Sequence, residues 1–246
     1  MPLLQVKDVY MKFGGVMAIA GVSFDIHEGE ILALIGPNGS GKTTMFNLIC
    51  GVFSPYSGHI LFRDCQITGL KPYQICRKGI GRTFQIAKPF PKMTVLENVM
   101  VGSIYGKKNS YPLKKAREMA MSVIHSMGME QKWDTPVTEL TLPYKKRLEL
   151  CKAIATEPHM LLLDEVMGGL NPSEVEEMIK LLKRIQSNGV TLLFVEHLMR
   201  AVMGLAERMV VLNHGAKIAE GSPVEVVEDL QVIEAYLGKE NQFVKG

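Results

Sequence analysis

The sequence is poor in the features that mark several specialised classes of protein. Its four cysteines, at positions 50, 65, 76 and 151, form no CxxC pair, so we expect reduced core thiols in a cytosolic protein, not a disulfide framework or a zinc site. The longest stretch without a charged residue, Thr43–Phe62, contains glycine, proline and asparagine, so no transmembrane helix is predicted. The 28 basic and 25 acidic side chains leave a net charge of +3, which is too mild to indicate a nucleic-acid-binding protein.

What the sequence does contain is an ordinary globular composition with alternating strand and helix patterns. Hydrophobic residues make up 47% of the 246 residues and charged residues 22%, which fits one large domain or two small ones. Strands alternate with helices, which predicts an α/β fold with a mainly parallel sheet. Between about Lys88 and Glu157 helical spacing dominates, which predicts a helical insertion. The predicted strands are Leu4–Val9, Val22–Ile26, Ile31–Ile35, His59–Phe62, Met160–Leu163, Val190–Val195 and Met209–Leu212. The predicted helices are Thr43–Cys50, Lys114–Met127, Leu148–Thr156, Pro172–Gln186 and Met199–Ala206.

A glycine-rich loop between a predicted strand and a predicted helix is the strongest functional signal. It matches the pattern G-x-x-x-x-G-K-[ST], in which glycines let backbone N–H groups surround a phosphate and the helix N-terminus adds a positive dipole end. We expect Lys42 to bridge the β- and γ-phosphates of ATP and the hydroxyl of Thr43 to hold Mg²⁺. The residues expected to bind the nucleotide here are Gly36, Pro37, Asn38, Gly39, Ser40, Gly41, Lys42, Thr43 and Thr44.

Two carboxylates follow the predicted strand Met160–Leu163. In α/β sheets the carboxyl ends of the strands carry the ligand-binding groups. We expect Asp164 to hold Mg²⁺, through water, and Glu165 to orient or deprotonate the water that attacks the γ-phosphate. An acidic strand end is a weak signal alone, and it becomes strong when it is paired with the phosphate loop.

Further motifs occur in a fixed order, and with them the sequence resembles the ATP-binding subunits of ABC transporters across nearly its whole length. Gln85, in the segment TFQ, matches the Q-loop glutamine, which the resemblance implies contacts Mg²⁺ and the attacking water. His197 matches the switch histidine that contacts the γ-phosphate, and Gly169–Pro172 matches the D-loop. Phe13 matches the aromatic residue that stacks on adenine, and Ala18 the residue lining the same pocket.

Within that family the segments GIGRTFQ, MTVLENV, FVEH, AEGSP and VIEAYLG resemble the branched-chain amino-acid importer type. The resemblance implies the P-loop NTPase core of ABC ATPase type, with an N-terminal antiparallel β portion and an inserted helical subdomain. One ABC ATP-binding domain would span residues 1–246. Its RecA-like core would comprise residues 1–87 and 158–246, and its helical subdomain residues 88–157.

The resemblance also implies a function and a set of partners. The function is binding and hydrolysis of MgATP to power uptake of branched-chain or related amino acids. The partners are two transmembrane permease subunits, a second ATP-binding subunit in a head-to-tail dimer and, indirectly, an external substrate-binding protein. The chain would lie at the cytoplasmic face of the membrane, and no nucleic acid partner is expected.

The family's signature, LSGGQ, is altered in this sequence. The matching segment Leu140–Tyr144 keeps a hydroxyl at Thr141 but replaces both glycines, by Leu142 and Pro143. Proline has no N–H to offer a phosphate, and leucine adds bulk where the backbone should approach closely. Proline does suit the first turn of a helix, so the helix itself can persist. Our hypothesis is an asymmetric heterodimer in which the site built on Leu140–Tyr144 is the weaker one; a local rearrangement that keeps the site competent is the alternative.

Two other functions remain open from the sequence. One is an ABC motor for another substrate, such as lipopolysaccharide export, which the co-purifying membrane subunits would distinguish. The other is a nucleotide-binding regulatory module that does not hydrolyse ATP, suggested only by the altered signature. Glu165 and His197 argue against it, because a protein that only binds nucleotide needs neither.

Overall fold

The computed structural model describes residues 1–83, 89–106 and 111–237. Within them the strands are, in chain order, β1 (Pro2–Phe13), β2 (Val16–His27), β3 (Ile31–Ile35), β4 (Ser57–Phe62), β5 (Cys65–Gln66), β6 (Ile80–Arg82), β7 (Met160–Asp164), β8 (Thr191–Val195), β9 (Arg208–Asn213) and β10 (Ala216–Gly221). The α-helices are α1 (Lys42–Ile49), α2 (Pro72–Lys78), α3 (Val95–Tyr105), α4 (Leu113–Ser126), α5 (Leu142–Ile154), α6 (Pro172–Ser187), α7 (Met199–Leu205), α8 (Pro223–Glu228) and α9 (Leu230–Leu237). Short 3₁₀ turns occupy Glu130–Lys132 and Val137–Glu139.

The chain divides into two compact units, and the boundary between them falls within β8. The first unit comprises Met1–Lys71 and Leu193–Gly246. It contains a four-stranded antiparallel sheet in the order β2-β1-β4-β5, with Gln5 of β1 facing Asp25 on one side and Leu61 on the other. It also contains β3, which pairs in parallel with β9, and β10, which pairs antiparallel with β9. All five residues of β3 are buried, as expected of a strand covered on both faces.

The second unit, Pro72–Leu192, holds most of the helices. Strands β6 and β7 pair in parallel, with Gly81 facing Leu161. Helices α3, α4 and α5 pack on one another through buried residues such as Val99, Ala120 and Leu150. Helices α3 and α6 each begin with a reciprocal capping box, in which the cap side chain and the third helical residue bond each other's backbone. These boxes satisfy N–H groups that a helix start otherwise leaves without partners.

The predicted fold class is confirmed, because the chain is mixed α/β with antiparallel and parallel sheets. Helices α2, α3, α8 and α9 and strands β5, β6 and β10 are additions that the sequence analysis did not predict. The expectation of core thiols holds for Cys50 and Cys151, which are buried, but is wrong for Cys65, which is exposed on the two-residue strand β5. Among the described residues, no helix has the length and hydropathy needed to cross a membrane. The bounds of the helical subdomain, 88–157, stay a prediction.

Candidate nucleotide-binding site

The phosphate loop connects β3 to α1, and its glycines adopt backbone conformations that other residues rarely take. Gly36, Gly39 and Gly41 have φ angles of +146°, +78° and +108°. A Cβ atom on Gly36 would collide with the backbone oxygen of Leu212, and one on Gly41 would lie 2.7 Å from the carbonyl oxygen of Ala18. Only glycine therefore fits at positions 36 and 41.

The start of α1 and the loop before it carry the polar groups of the candidate site. Its N-cap, Gly41, has no side chain that could bond the first N–H groups of the helix. Lys42 is only 6% exposed, and its Nζ donates to the carbonyl oxygens of Gly36, at 2.8 Å, and Pro37, at 2.9 Å. The buried hydroxyl of Ser40 has no hydrogen-bond partner among the described residues. A helix start without a side-chain cap, a cation and an unpartnered hydroxyl together fit a phosphate group.

Two predicted adenine-site residues lie in the same unit as the phosphate loop. Phe13 ends β1 and is 43% exposed. Its ring and that of Phe53 pack in a T-shaped arrangement, with the centroids 5.2 Å apart, and part of Phe13 stays exposed. Phe53 follows α1 and donates its N–H to Asn47 of that helix. Ala18 lies beside Gly41 through its carbonyl oxygen.

The remaining predicted residues of the first unit lie on its surface or at strand ends. Asn38 and Thr43 are exposed, and Thr44 is half-buried. His197 is exposed in the short connection between β8 and α7, directly after the buried Glu196.

Tyr236, on α9, is a contact of the phosphate loop that the sequence analysis missed. It hydrogen-bonds with the backbone of Gly36. Burial raises the pKa of its phenol, while this hydrogen bond opposes the rise. No local pattern in the sequence relates a residue near the end of the chain to the first glycine of the loop, so nothing in the sequence pointed to it.

In the second unit, Asp164 ends β7 as predicted, and it is held by residues of β6 and just beyond it. Its carboxylate Oδ2 accepts from Arg82 Nη2 at 3.1 Å, and both side chains are almost fully buried. Its backbone N–H donates to the hydroxyl of Thr83 at 3.3 Å. Thr83 opens the predicted Q-loop segment, but Gln85 itself lies outside the described residues.

Glu165, the residue after β7, has a left-handed backbone with φ at +49°. For a residue other than glycine this conformation costs about 1–3 kcal/mol, and it persists where surrounding contacts hold it. Two contacts hold it here, since its carbonyl oxygen accepts from Gly168 N at 3.2 Å and from Lys146 Nζ at 2.9 Å. Backbone strain of this kind is common at functional sites.

The altered signature segment forms the start of α5. The helix begins at Leu142 with Pro143 in its first turn, and Thr141 occupies the N-cap without a side-chain capping bond. The expectation that a helix persists despite Pro143 is therefore confirmed. Leu142 is 44% exposed, and its side chain packs on Gly169, where an added Cβ would lie 2.9 Å from Leu142 Cδ2. Gly169 has a φ of +79°, a conformation that favours glycine.

Comparison with known proteins identifies the family of the chain. The sequence family described as "ABC transporter" matches residues 19–168. The chain belongs to the ABC transporter family. A second family, described as "Branched-chain amino acid ATP-binding cassette transporter", matches residues 216–241, which include α9 and Tyr236. The resemblance predicted from the motifs is thereby confirmed.

Relatives match the ABC transporter chain over almost its full length. The high-affinity branched-chain amino acid transport ATP-binding protein LivG of Salmonella typhimurium is 37% identical, and the match covers 97% of this chain and 98% of LivG. BraF of Pseudomonas aeruginosa, which bears the same description, is 36% identical with the same coverage. This chain is accordingly an ABC ATPase, the ATP-binding subunit of a transporter whose ATP hydrolysis is coupled to transport.

Solved structures of ATP-binding cassettes share the fold. One, an ATP-binding cassette of an ABC transporter in its ADP conformation, matches with a TM-score of 0.89 and 30% identity, covering 97% of this chain and 100% of that chain. Another is a dimeric cassette in a post-hydrolysis state bound to ADP and phosphate. It matches with a TM-score of 0.80 and 25% identity, covering 89% of this chain and 98% of that chain.

Proposed function

We propose that this chain powers uptake of branched-chain or related amino acids through membrane partners. The observation that carries the proposal is the likeness to LivG and BraF along the whole chain, including a C-terminal segment that matches a family named for branched-chain amino acid transporters. The substrate would be bound by partner subunits, because the groups described in this chain fit phosphate and not an aliphatic amino acid.

In this proposal the phosphate loop binds the β- and γ-phosphates of ATP. Lys42 exchanges its bonds to the carbonyls of Gly36 and Pro37 for bonds to phosphate oxygens, and Ser40 gains a partner for its buried hydroxyl. Phe13 stacks on adenine, and Ala18 lines the same pocket. Mg²⁺, when bound, neutralises charge on the phosphates. Thr43, Gln85 and Asp164 are the residues proposed to hold it.

Glu165 is proposed to orient or deprotonate the water that attacks the γ-phosphate in line, with no covalent intermediate. His197 is proposed to contact the γ-phosphate. The role of His197 is carried over from the resemblance. The left-handed backbone of Glu165 supports its role, because strain is retained where a side chain must point in one direction.

The proposed assembly contains two permease subunits, a second ATP-binding subunit and, outside the membrane, a substrate-binding protein, with this chain at the cytoplasmic face. The dimeric cassettes among the solved structures support the pairing of ATP-binding subunits. Leu142 and Pro143 support a heterodimer in which the partner's signature serves the phosphate loop of this chain, since proline lacks the N–H that a phosphate would require.

The hydrolytic part of the proposal is tested by Glu165→Gln, which keeps the shape of the side chain and removes its charge. We expect the variant to bind ATP like the wild type and to lose about 10²-fold or more in ATP hydrolysis. Glu139→Gln, at an exposed glutamate, is the matched control and should keep full activity. The measurement is phosphate release by the purified chain and by the chain co-purified with its membrane and ATPase partners. Undiminished hydrolysis by Glu165→Gln would rule out the assigned role.

The transport part is tested separately in proteoliposomes that contain the assembled transporter and its binding protein. We expect ATP-driven accumulation of radiolabelled leucine, isoleucine or valine, and none with Glu165→Gln. A transporter that hydrolyses ATP but moves only chemically unrelated compounds would contradict the substrate class and leave the ATPase assignment intact.

A further inference from the structure

Lys146 is a charged residue buried in the second unit, and its position calls for a function. It lies on α5 and is 7% exposed. A buried ammonium group is tolerated only where it is paired or hydrogen-bonded. Its Nζ donates to the carbonyl oxygen of Glu165 at 2.9 Å. Hydrogen bonds that involve a charged donor are roughly twice as strong as neutral ones.

The bond from Lys146 to the Glu165 carbonyl oxygen holds Glu165 on its carboxyl side, and β7 holds it on its amino side. Together they determine the direction of the Glu165 side chain. On its amino side Glu165 follows Asp164, which is fixed in β7 and bonded to Arg82. On its carboxyl side the carbonyl is fixed by Lys146 and by Gly168 N at 3.2 Å. The Cα of Glu165 is tetrahedral and the backbone on both sides of it is held. The bond from this Cα to Cβ therefore points in a single direction. Without Lys146 the strained φ of +49° can relax, because non-glycine residues disfavour that region.

A second contact shows that one face of α5 lies along the turn that begins at Glu165. Leu142 precedes Lys146 by four residues and so lies on the same face of the helix. The Leu142 side chain packs against Gly169, in that turn. The helix that begins with the altered signature therefore contacts the turn after β7 at both Glu165 and Gly169.

We infer that Lys146 is a positioning residue that aims the Glu165 carboxylate by holding its carbonyl oxygen. The inference deepens the proposed function and rests on it, since it requires Glu165 to act on the attacking water. Lys146 does not touch the nucleotide in this scheme. Its loss should lower the rate of hydrolysis and leave the affinity for ATP unchanged.

The test compares Lys146→Met, which removes the charge and the donor, with Lys146→Arg, which keeps both. In the assembled transporter we expect Lys146→Met to lower kcat about 10- to 100-fold, the effect of displacing a reacting group by about 1 Å. The KM for ATP should stay within about twofold, because the lost interaction is not made to the substrate. Lys146→Arg should recover most of the activity, and Lys145→Met, the neighbouring half-buried lysine, should resemble the wild type. If Lys146→Met does not fold, Lys146→Gln, which keeps a donor without the charge, replaces it, with a smaller expected loss of kcat.

A double variant determines whether the effect passes through Glu165. If Lys146 only positions Glu165, adding Lys146→Met to Glu165→Gln should cost almost nothing further, since residues that act as a unit are not additive. A full additional 10-fold loss in that background, wild-type kcat in Lys146→Met, or a KM raised as much as kcat falls would each overturn the inference.

Amide hydrogen exchange provides a readout that does not depend on hydrolysis. The N–H of Gly168, which shares the Glu165 carbonyl, should exchange faster in Lys146→Met than in Lys145→Met, and unchanged exchange would overturn the positioning contact. Failure of the proposed function would give a different experimental result. In that case the wild-type transporter would bind ATP without hydrolysing it, whatever the exchange at Gly168.

Discussion

Helices α1 and α5 begin alike, but the buried lysine of α1 bonds to carbonyls close to it in the sequence, and the buried lysine of α5 bonds to a distant carbonyl. Neither helix start has a side-chain capping bond, whereas α3, α6 and α8 each begin with a capping box. Lys42 of α1 donates to carbonyls of its own loop, five and six residues away. Lys146 of α5 donates to the carbonyl of Glu165, 19 residues away.

The difference indicates which lysine can exchange its partners. The carbonyls that hold Lys42 belong to the glycine-rich loop. Phosphate oxygens are stronger acceptors than carbonyls for an ammonium group, so a phosphate can replace them. The carbonyl that holds Lys146 belongs to a strained residue, and that bond is worth about 1.5–3 kcal/mol, comparable to the strain of about 1–3 kcal/mol. We therefore expect Lys42 to bind a ligand and Lys146 to keep a backbone in place.

The largest expected effect comes from Lys42→Ala. Removing the cation from the phosphate loop should weaken ATP binding about 10²-fold, because at least two charge-assisted bonds to phosphate are lost. The measurement is ATP affinity by isothermal titration calorimetry, with Lys183→Ala, at an exposed lysine of α6, as the control. In the same assay Lys146→Met should bind like the wild type. Equal losses of ATP affinity in Lys42→Ala and Lys146→Met would contradict the different roles assigned to the lysines of α1 and α5.

A smaller effect is expected from restoring glycine at the start of α5. Leu142→Gly combined with Pro143→Gly returns an N–H to the signature segment, and we expect turnover of the assembled transporter to rise about tenfold, the worth of one hydrogen bond to a charged group. Leu142→Gly alone is the matched control and should give no gain, since Pro143 still lacks a donor and the packing on Gly169 is lost. No gain, or a loss, in the double variant would count against the asymmetric dimer.

The smallest effect is on stability alone. It compares a helix start that has a capping box with a helix start that has no side-chain capping bond. Thr94→Ala removes the capping box of α3 and should lower the free energy of unfolding by about 1 kcal/mol. Thr141→Ala, at the N-cap of α5, removes a hydroxyl that makes no capping bond and should change it by less than about 0.5 kcal/mol. Urea unfolding at equal ionic strength measures both. A matching loss for Thr141→Ala would mean that α5 is capped after all.

The phosphate loop could be predicted, apart from its contacts with Leu212 and Tyr236, because its main determinants are local. The apolar run of β3, the glycines at 36 and 41 and the lysine that opens α1 follow one another in the sequence, and the bonds of Lys42 span only a few residues. The start of α5 was predicted only in part. The fixed φ of Pro143 suits a first helical turn, but the helical spacing predicted a start at Leu148, whereas the helix begins at Leu142.

The contacts around the carboxylates could not be predicted in the same way. Arg82 lies 82 residues before its partner Asp164, and the backbone conformation of Glu165 depends on a lysine from another helix. In the sequence, a helical lysine that is buried in the structure cannot be distinguished from one that lies on the surface. Cys65 shows the converse error, because all four cysteines were expected in the core and this one lies on an exposed edge strand.

The sequence by itself determined the family, the phosphate loop and the order of its motifs, because these depend on residue types at fixed local spacing. The tertiary structure alone decided which distant backbone groups two polar side chains contact: the carbonyl of Glu165 for Lys146, and the backbone of Gly36 for Tyr236. Such pairings arise where packing brings distant segments together and burial makes an unpaired polar group costly. That cost depends on surroundings that no linear pattern records.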